Sequence, residues 1–174
     1  ALFGFQPGEN LYVGEERWEG IYVPACLRHY PLRLIDGPSA EDPFTVAIDE
    51  ENALVGEGGE HRLFDDEGVE TDFLKKSGES MVQYVESNRI TQAFINILSE
   101  NDLLVQKNLS VEIDNQPVSI GGIYTVDEQK LNELDDEKFT DIRKRGFLAP
   151  IYAQMVSLNQ IPRLARQKVI NQSS

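Results

Sequence analysis

Cysteine is nearly missing from this chain: Cys26 is the only one in 174 residues. A lone thiol excludes an internal disulfide framework and allows a reducing compartment without proving one; the compartment stays open, with the cytoplasm favoured over others because the sequence shows no leader or membrane segment. Ligands for a transition metal are as scarce. Cys26 and His29 have a spacing found in metal sites, yet His61 is the one further imidazole and a structural site needs four converging ligands. Neither a metal nor a cofactor is expected. Long apolar runs are absent too. No run in the sequence approaches the roughly 20 residues of a membrane helix, and no charged-then-apolar leader opens the chain, so an integral membrane protein is not expected. Positive charge is short, with 16 Lys and Arg against 30 Asp and Glu and a net charge of −14. Such a surface repels nucleic acid.

Catalytic signatures are missing as well. Ser157 lies in no Gly-x-Ser-x-Gly elbow, and neither histidine has a sequence partner for a triad. Asp49-Glu50-Glu51-Asn52 lacks the glycine that a calcium loop places sixth, where Leu54 stands. Gly56-Glu57-Gly58-Gly59 precedes no Lys-Ser/Thr, and Glu57 would repel a phosphate. In so acidic a chain, paired carboxylates discriminate nothing.

What is present concentrates between Trp18 and Leu32. This stretch holds the sole Trp, the sole Cys, one of the two histidines and two of the six tyrosines. Trp18, Ile21 and Tyr22 favour a buried strand. Pro24 forces Val23 to be extended and opens a short helix, which Pro31 closes within about two turns. The expectation is a rigid corner with Trp18 and Tyr22 buried in the core. If this corner instead binds a ligand, the candidate residues are Trp18, Tyr22, Arg28 and Tyr30.

Charge is unevenly spread. Asp36 to Asp72 carries thirteen acidic residues and one basic residue, Arg62, whereas Arg143 to Ser174 carries six basic residues and none acidic. Opposed patches steer association, so Arg143, Lys144, Arg145, Arg163 and Arg166 are expected to face acidic groups. Those groups would belong to the same chain, a second copy or an acidic partner, and a homo-oligomer is allowed.

The remaining pattern predicts a single domain over residues 1–174. Leu2–Phe5 and Leu11–Val13 read as a hairpin around Pro7-Gly8, followed by a turn at Gly14-Glu15-Glu16-Arg17. Leu32–Ile35 and Phe44–Ile48 read as strands. From Thr71 to Asn101 apolar residues recur at helical spacing, with Gly78 expected to split the helix. Leu109–Ile113 and Val118–Ile120 form a second hairpin, turning at Asp114-Asn115-Gln116. Asp127 and Asp135 are N-caps for two helices, Phe147–Leu158 is an apolar helix, and Pro162 starts a basic terminal segment. The fold class is α+β: an antiparallel sheet from the N-terminal half plus a hairpin, packed with helices. Ala1 in place of methionine, followed at once by apolar Leu2–Phe5, suggests that an N-terminal part of the domain is missing.

Five blocks carry a family resemblance: Phe5-x-Pro7-Gly8-Glu9-Asn10-Leu11; Trp18…Tyr22-Val23-Pro24-x-x-Leu27-Arg28-x-Tyr30-Pro31; Leu63-Phe64-Asp65; Gly121-Gly122-x-Tyr124-x-Val126-Asp127-Glu128; and Gly146-Phe147-Leu148…Ile151-Tyr152-Ala153…Ser157-Leu158. In this order they resemble the bacterial SapC family, named after a surface-layer-associated protein. The resemblance covers nearly the whole chain and implies no catalytic motif. It implies genes set beside outer-membrane receptors, flavin-dependent halogenase-like proteins and cupin-like hydroxylases. The expected function is a non-catalytic binding or accessory protein for a protein, peptide or glycan ligand, linked to the cell envelope or to uptake of an external ligand. The alternative is an enzyme or cofactor-dependent partner with a site near the Trp18–Tyr30 corner and a carboxylate.

Overall fold

The computed structural model describes residues 2–14, 17–114 and 116–173. Ala1, Glu15 and Glu16 of the expected 14–17 turn, and Asn115 of the expected 114–116 turn, lie outside the described residues. The elements are α1 (Ala25–Arg28), β1 (Leu32–Asp36), β2 (Phe44–Ile48), α2 (Asp72–Glu100), β3 (Leu104–Ile113), β4 (Gln116–Val126), α3 (Glu128–Asn132), α4 (Asp136–Lys144), α5 (Leu148–Ser157) and α6 (Ile161–Ser173), with a 3₁₀ turn over Leu158–Gln160. The fold is α+β, and its strands form two separate two-stranded antiparallel sheets, β1–β2 and β3–β4. No helix among the described residues is long and apolar enough to cross a membrane.

The chain divides into two compact units, Tyr22–Thr91 and a second formed by Ala1–Ile21 with Gln92–Ser174. In the Tyr22–Thr91 unit, β1 pairs with β2 from Leu32 opposite Ile48 to Asp36 opposite Phe44. Leu32, Leu74 and Met81 form its core, with Leu34, Val46, Ile48 and Leu63 packed around them. Gly78 does not split α2, which runs unbroken through it. A glycine in a helix interior costs about 1 kcal/mol. Burial of Leu74 and Met81 on either side contributes more than that.

The other unit has two clusters. Leu98, Leu103, Val126, Leu131, Ile142 and Ile151 form one, placed by two capped helices. Asp127 accepts from the N–H groups of Gln129 and Lys130, and Asp135 from that of Lys138, as their sequence positions predict. The second cluster joins Phe5, Leu11 and Ile113 to Leu164 and Ala165 of α6. Between β3 and β4 the register slips between Lys107 and Leu109, where Gly121 and Gly122 sit on the opposite strand.

The expected N-terminal hairpin is not formed. Leu11 N–H reaches Phe3 O at 2.8 Å, but a side chain takes the next donor: Glu9 Oε2 accepts from Phe5 N–H at 2.6 Å. Asn10 Oδ1 likewise accepts from Tyr12 N–H. Polar side chains that bond the backbone locally divert it from a ladder, and among the described residues this region keeps an isolated bridge between Val13 and Trp18. The strand expected at Trp18–Tyr22 is not formed: pairing with Tyr12–Gly14 stops at Glu19, whose N–H donates to Tyr12 O at 2.7 Å. Ile21 is 85% and Tyr22 69% exposed, which corrects the expectation that Tyr22 is buried. Trp18 is half-buried, stacked on Tyr12 at 5.6 Å and edge-on to Phe3 at 6.1 Å.

The basic tail reaches acid in two places. Arg145 pairs with Asp141 one turn back on α4, and Lys168 pairs with Glu9 at 3.0 Å. Among the described residues Arg143, Lys144, Arg163 and Arg166 form no ion pair, so the same-chain form of that expectation fails for these four.

Candidate functional site

The Tyr22–Thr91 unit contains an open groove of about 1210 Å³. Three pieces of chain line it, and each is shaped by local rules. The first is the segment leaving α1. Pro24 stands at the N-cap with φ −55° and ψ 141°, so the helix begins one residue later than expected and ends at Arg28. His29 caps it, Leu32 N–H donates to His29 O at 2.7 Å, and the Tyr30–Pro31 peptide is cis. Arg28, His29 and Tyr30 thereby reach the groove wall.

The second piece is the loop from Leu54 to Phe64. Asn52 orders its start, because its Oδ1 accepts from Leu54 N–H while its Nδ2 donates to the Tyr30 hydroxyl. At the far end Asp65 Oδ1 accepts from the N–H groups of Glu67 and Val69, closing a turn in which Gly68 adopts φ +78°. Thr71 Oγ1 donates to Arg62 O at 2.6 Å and ties the loop to the start of α2.

The third piece is one face of α2. Phe73, Lys76, Ser77 and Ser80 recur at steps of three and four, so they lie along one stripe that faces the groove.

The groove is mostly apolar, built on Leu32, Ile48, Leu63 and Phe73, and carries exposed Leu54 (71%) and Phe64 (50%). Several of its polar side chains have partners. His29 Nε2 lies 3.2 Å from Ser80 Oγ. Burial, and then the nearby Arg28 charge, hold the His29 imidazole below its usual value and favour the neutral ring. His61 lies flat on the Phe73 ring with centroids 4.4 Å apart. Arg62 is engaged by Asp66 at 2.6 Å. Glu57 and Glu60 line the groove from the loop.

Of the four candidate residues read from sequence, Arg28 and Tyr30 line this groove. Tyr22 is exposed elsewhere in the same unit, and Trp18 belongs to the other unit, within its aromatic trio. Missed at the sequence level were Asn52, His61, Phe73, Lys76 and Ser80. The mixed stripe on α2 was a usable signal for three of these. The contact between His29 and Ser80 crosses 51 residues and left no local mark. Among the described residues no three His, Cys, Asp or Glu side chains converge as a metal site would require, and Cys26 is exposed.

The groove is lined in part by residues of the sequence blocks that carry the family resemblance, Arg28, Tyr30, Pro31, Leu63 and Phe64. The SapC family model matches residues 1–164, and the chain belongs to that family. No curated protein and no solved structure matches it. The geometry accounts for several of the family-like blocks. Glu9 and Asn10 fix the N-terminal turn, Arg28 and Tyr30 form a groove wall, and Leu63-Phe64-Asp65 joins groove floor, groove rim and turn.

Proposed function

We propose that the chain is a single non-catalytic binding module, acting as an accessory protein at the cell envelope or in uptake of an external ligand, whose groove in the Tyr22–Thr91 unit takes an extended peptide segment. The carrying observation is the groove itself, open and mostly aliphatic. Its volume exceeds the roughly 300–1,000 Å³ usual for small-molecule pockets, which favours a stretch of chain over a compact metabolite. The aliphatic floor suits apolar side chains better than sugars. Exposed Leu54 and Phe64 on its rim are the expected anchors.

The Ser80–His29 pair supports the catalytic alternative, since a neutral imidazole beside a hydroxyl is a base beside a nucleophile. A third group is lacking: among the described residues no carboxylate orients His29. The binding reading therefore stands ahead.

Selection from a random heptapeptide library on the parent protein, with counter-screening on Leu54→Ser/Phe64→Ser, tests it. Selected peptides should lose at least tenfold in affinity for the variant. An empty selection, or equal affinity for both proteins, refutes the groove reading. Covalent labelling of Ser80 by a fluorophosphonate, abolished in His29→Gln, refutes the non-catalytic one.

A further inference from the structure

The groove carries charge that its surroundings do not explain. The Tyr22–Thr91 unit holds fifteen acidic and six basic residues, a net charge of −9. Of its six cations, Arg62 and Arg89 pair with Asp66 and Glu86, while among the described residues Arg28, Arg33, Lys75 and Lys76 form no ion pair. Arg28 and Lys76 are the two of these four that line the groove. Arg28 donates only to its own segment, at Val23 O, and Lys76 has no hydrogen bond or ion pair among the described residues. Both line the groove, Lys76 one turn from Ser80 and Arg28 next in sequence to His29. Two cations without carboxylate partners, together with a serine hydroxyl and an imidazole, make a set of donors for an oxyanion. The loop brings the opposite sign, through Glu57 and Glu60. The lining is thus bipolar over an apolar floor.

We propose that this groove captures the C-terminal end of a peptide or protein. In this arrangement the free α-carboxylate is held by Arg28, Lys76 and the Ser80–His29 pair, an apolar last side chain lies on the Leu32–Ile48–Phe73 floor, and a basic residue upstream meets Glu57 and Glu60. The inference rests on the peptide-groove reading and names its ligand. A chain end supplies both the carboxylate and the apolar body, and backbone capture of terminal carboxylates is an established mode of peptide recognition. Charge complementarity selects it over an uncharged segment, which would leave Arg28 and Lys76 without partners when the groove is covered.

The test uses one pool of fluorescein-labelled hexapeptides, random at the first five positions and ending in leucine or phenylalanine, prepared as the free acid and as the amide. Fluorescence anisotropy should show the free-acid pool binding at least tenfold more tightly. Lys76→Gln, an exposed substitution that spares the fold, and Arg28→Gln should each cut that preference to within about threefold while leaving the amide pool unchanged. Equal binding of both pools overturns the carboxylate assignment and leaves the groove reading standing, with an internal segment as its occupant. A preference that survives both substitutions also overturns it. Binding of neither pool removes the groove reading and this inference together.

Discussion

The contact between Glu9 and Lys168 offers a test whose size follows from the geometry. Lys168 Nζ lies 3.0 Å from Glu9 Oε1, with the two side chains only 10% and 21% exposed. The ammonium also sits 5.9 Å from the centre of the Phe5 ring. Lys168→Met keeps the apolar stem and removes the charge. The lost hydrogen bond between charged groups is worth about 1.5–3 kcal/mol. The lost cation–π contact adds about 0.5–1 kcal/mol. Stranding a partner in a fully buried pair costs about 3–5 kcal/mol, and Glu9 keeps some water and its bond from Phe5 N–H, so the expected loss is about 2–4 kcal/mol. For a chain of this length that lowers Tm by roughly 4–15 °C, read by circular dichroism. A double-mutant cycle with Glu9→Gln isolates the pair, and a coupling below about 0.5 kcal/mol refutes the reasoning. The acid limb gives a second reading. Burial raises the Glu9 carboxyl, but Phe5 N–H, Lys168 and Gln6 N–H outweigh it and hold it below 4.5. The stability from this group is therefore present above about pH 4.5 and lost as pH falls through the lower folded value. Glu9→Gln should flatten that part of the profile.

Three further outcomes are expected. Gly78→Ala should stabilise the protein by about 0.5–1 kcal/mol in urea denaturation, because an added Cβ meets Val46 Cγ2 at an ordinary 3.6 Å inside a regular helix; a loss of stability would show that the glycine is needed for the packing of β2. Trp18→Ala should cost about 1.5–3 kcal/mol, less than the 3–5 kcal/mol of a fully buried aromatic, since the ring is half-buried against Phe3 and Tyr12; no loss at all would mean the trio is not a packing unit. Burial and Arg28 hold His29 below 6.5, so the stability that depends on its neutral form is full above about pH 6.5 and declines as pH falls toward the folded value. An imidazole titration by NMR that falls at or above 6.5 contradicts this.

The elements that sequence pattern reported well are those in which one local signal acts without competition. Phe44–Ile48 is a strand at the expected residues because alternation, flanking turn residues and pairing with Leu32–Asp36 agree. Asp127 and Asp135 cap helices because a carboxylate before an apolar periodic stretch has few other uses for its oxygens. The failures share one origin, a polar side chain or a distant core that outweighs propensity. Leu2–Phe5 has strand composition, yet Glu9 takes the Phe5 N–H and Lys168, more than 150 residues away, holds that carboxylate in place. Gly78 has breaker chemistry, yet burial of Leu74 and Met81 carries the helix through it.

The site was less legible than the fold for a related reason. A groove is defined by what three separate segments leave open between them, and only one of those segments, the Phe73–Ser80 stripe, has a period that sequence can display. The Trp18–Leu32 stretch drew attention because rare residues crowd there, but rarity marks large side chains and not their convergence. Its members have different surroundings: Trp18 packs with Phe3 and Tyr12, Tyr22 is exposed, and Arg28 and Tyr30 line the groove. Charge was the more informative signal when taken locally. The net charge of −14 argued only against nucleic acid, and of the tail's six cations Arg145 pairs with Asp141 and Lys168 clamps the N-terminal turn, while the other four form no ion pair among the described residues. Within the acidic Tyr22–Thr91 unit, Arg28 and Lys76 are the cations without an ion pair among the described residues that also line the groove. A cation without a partner in an acidic setting gains little for the isolated fold and much for a ligand that brings the missing charge. On the proposed reading, the groove's chemistry follows from those two residues more than from the motif that surrounds them.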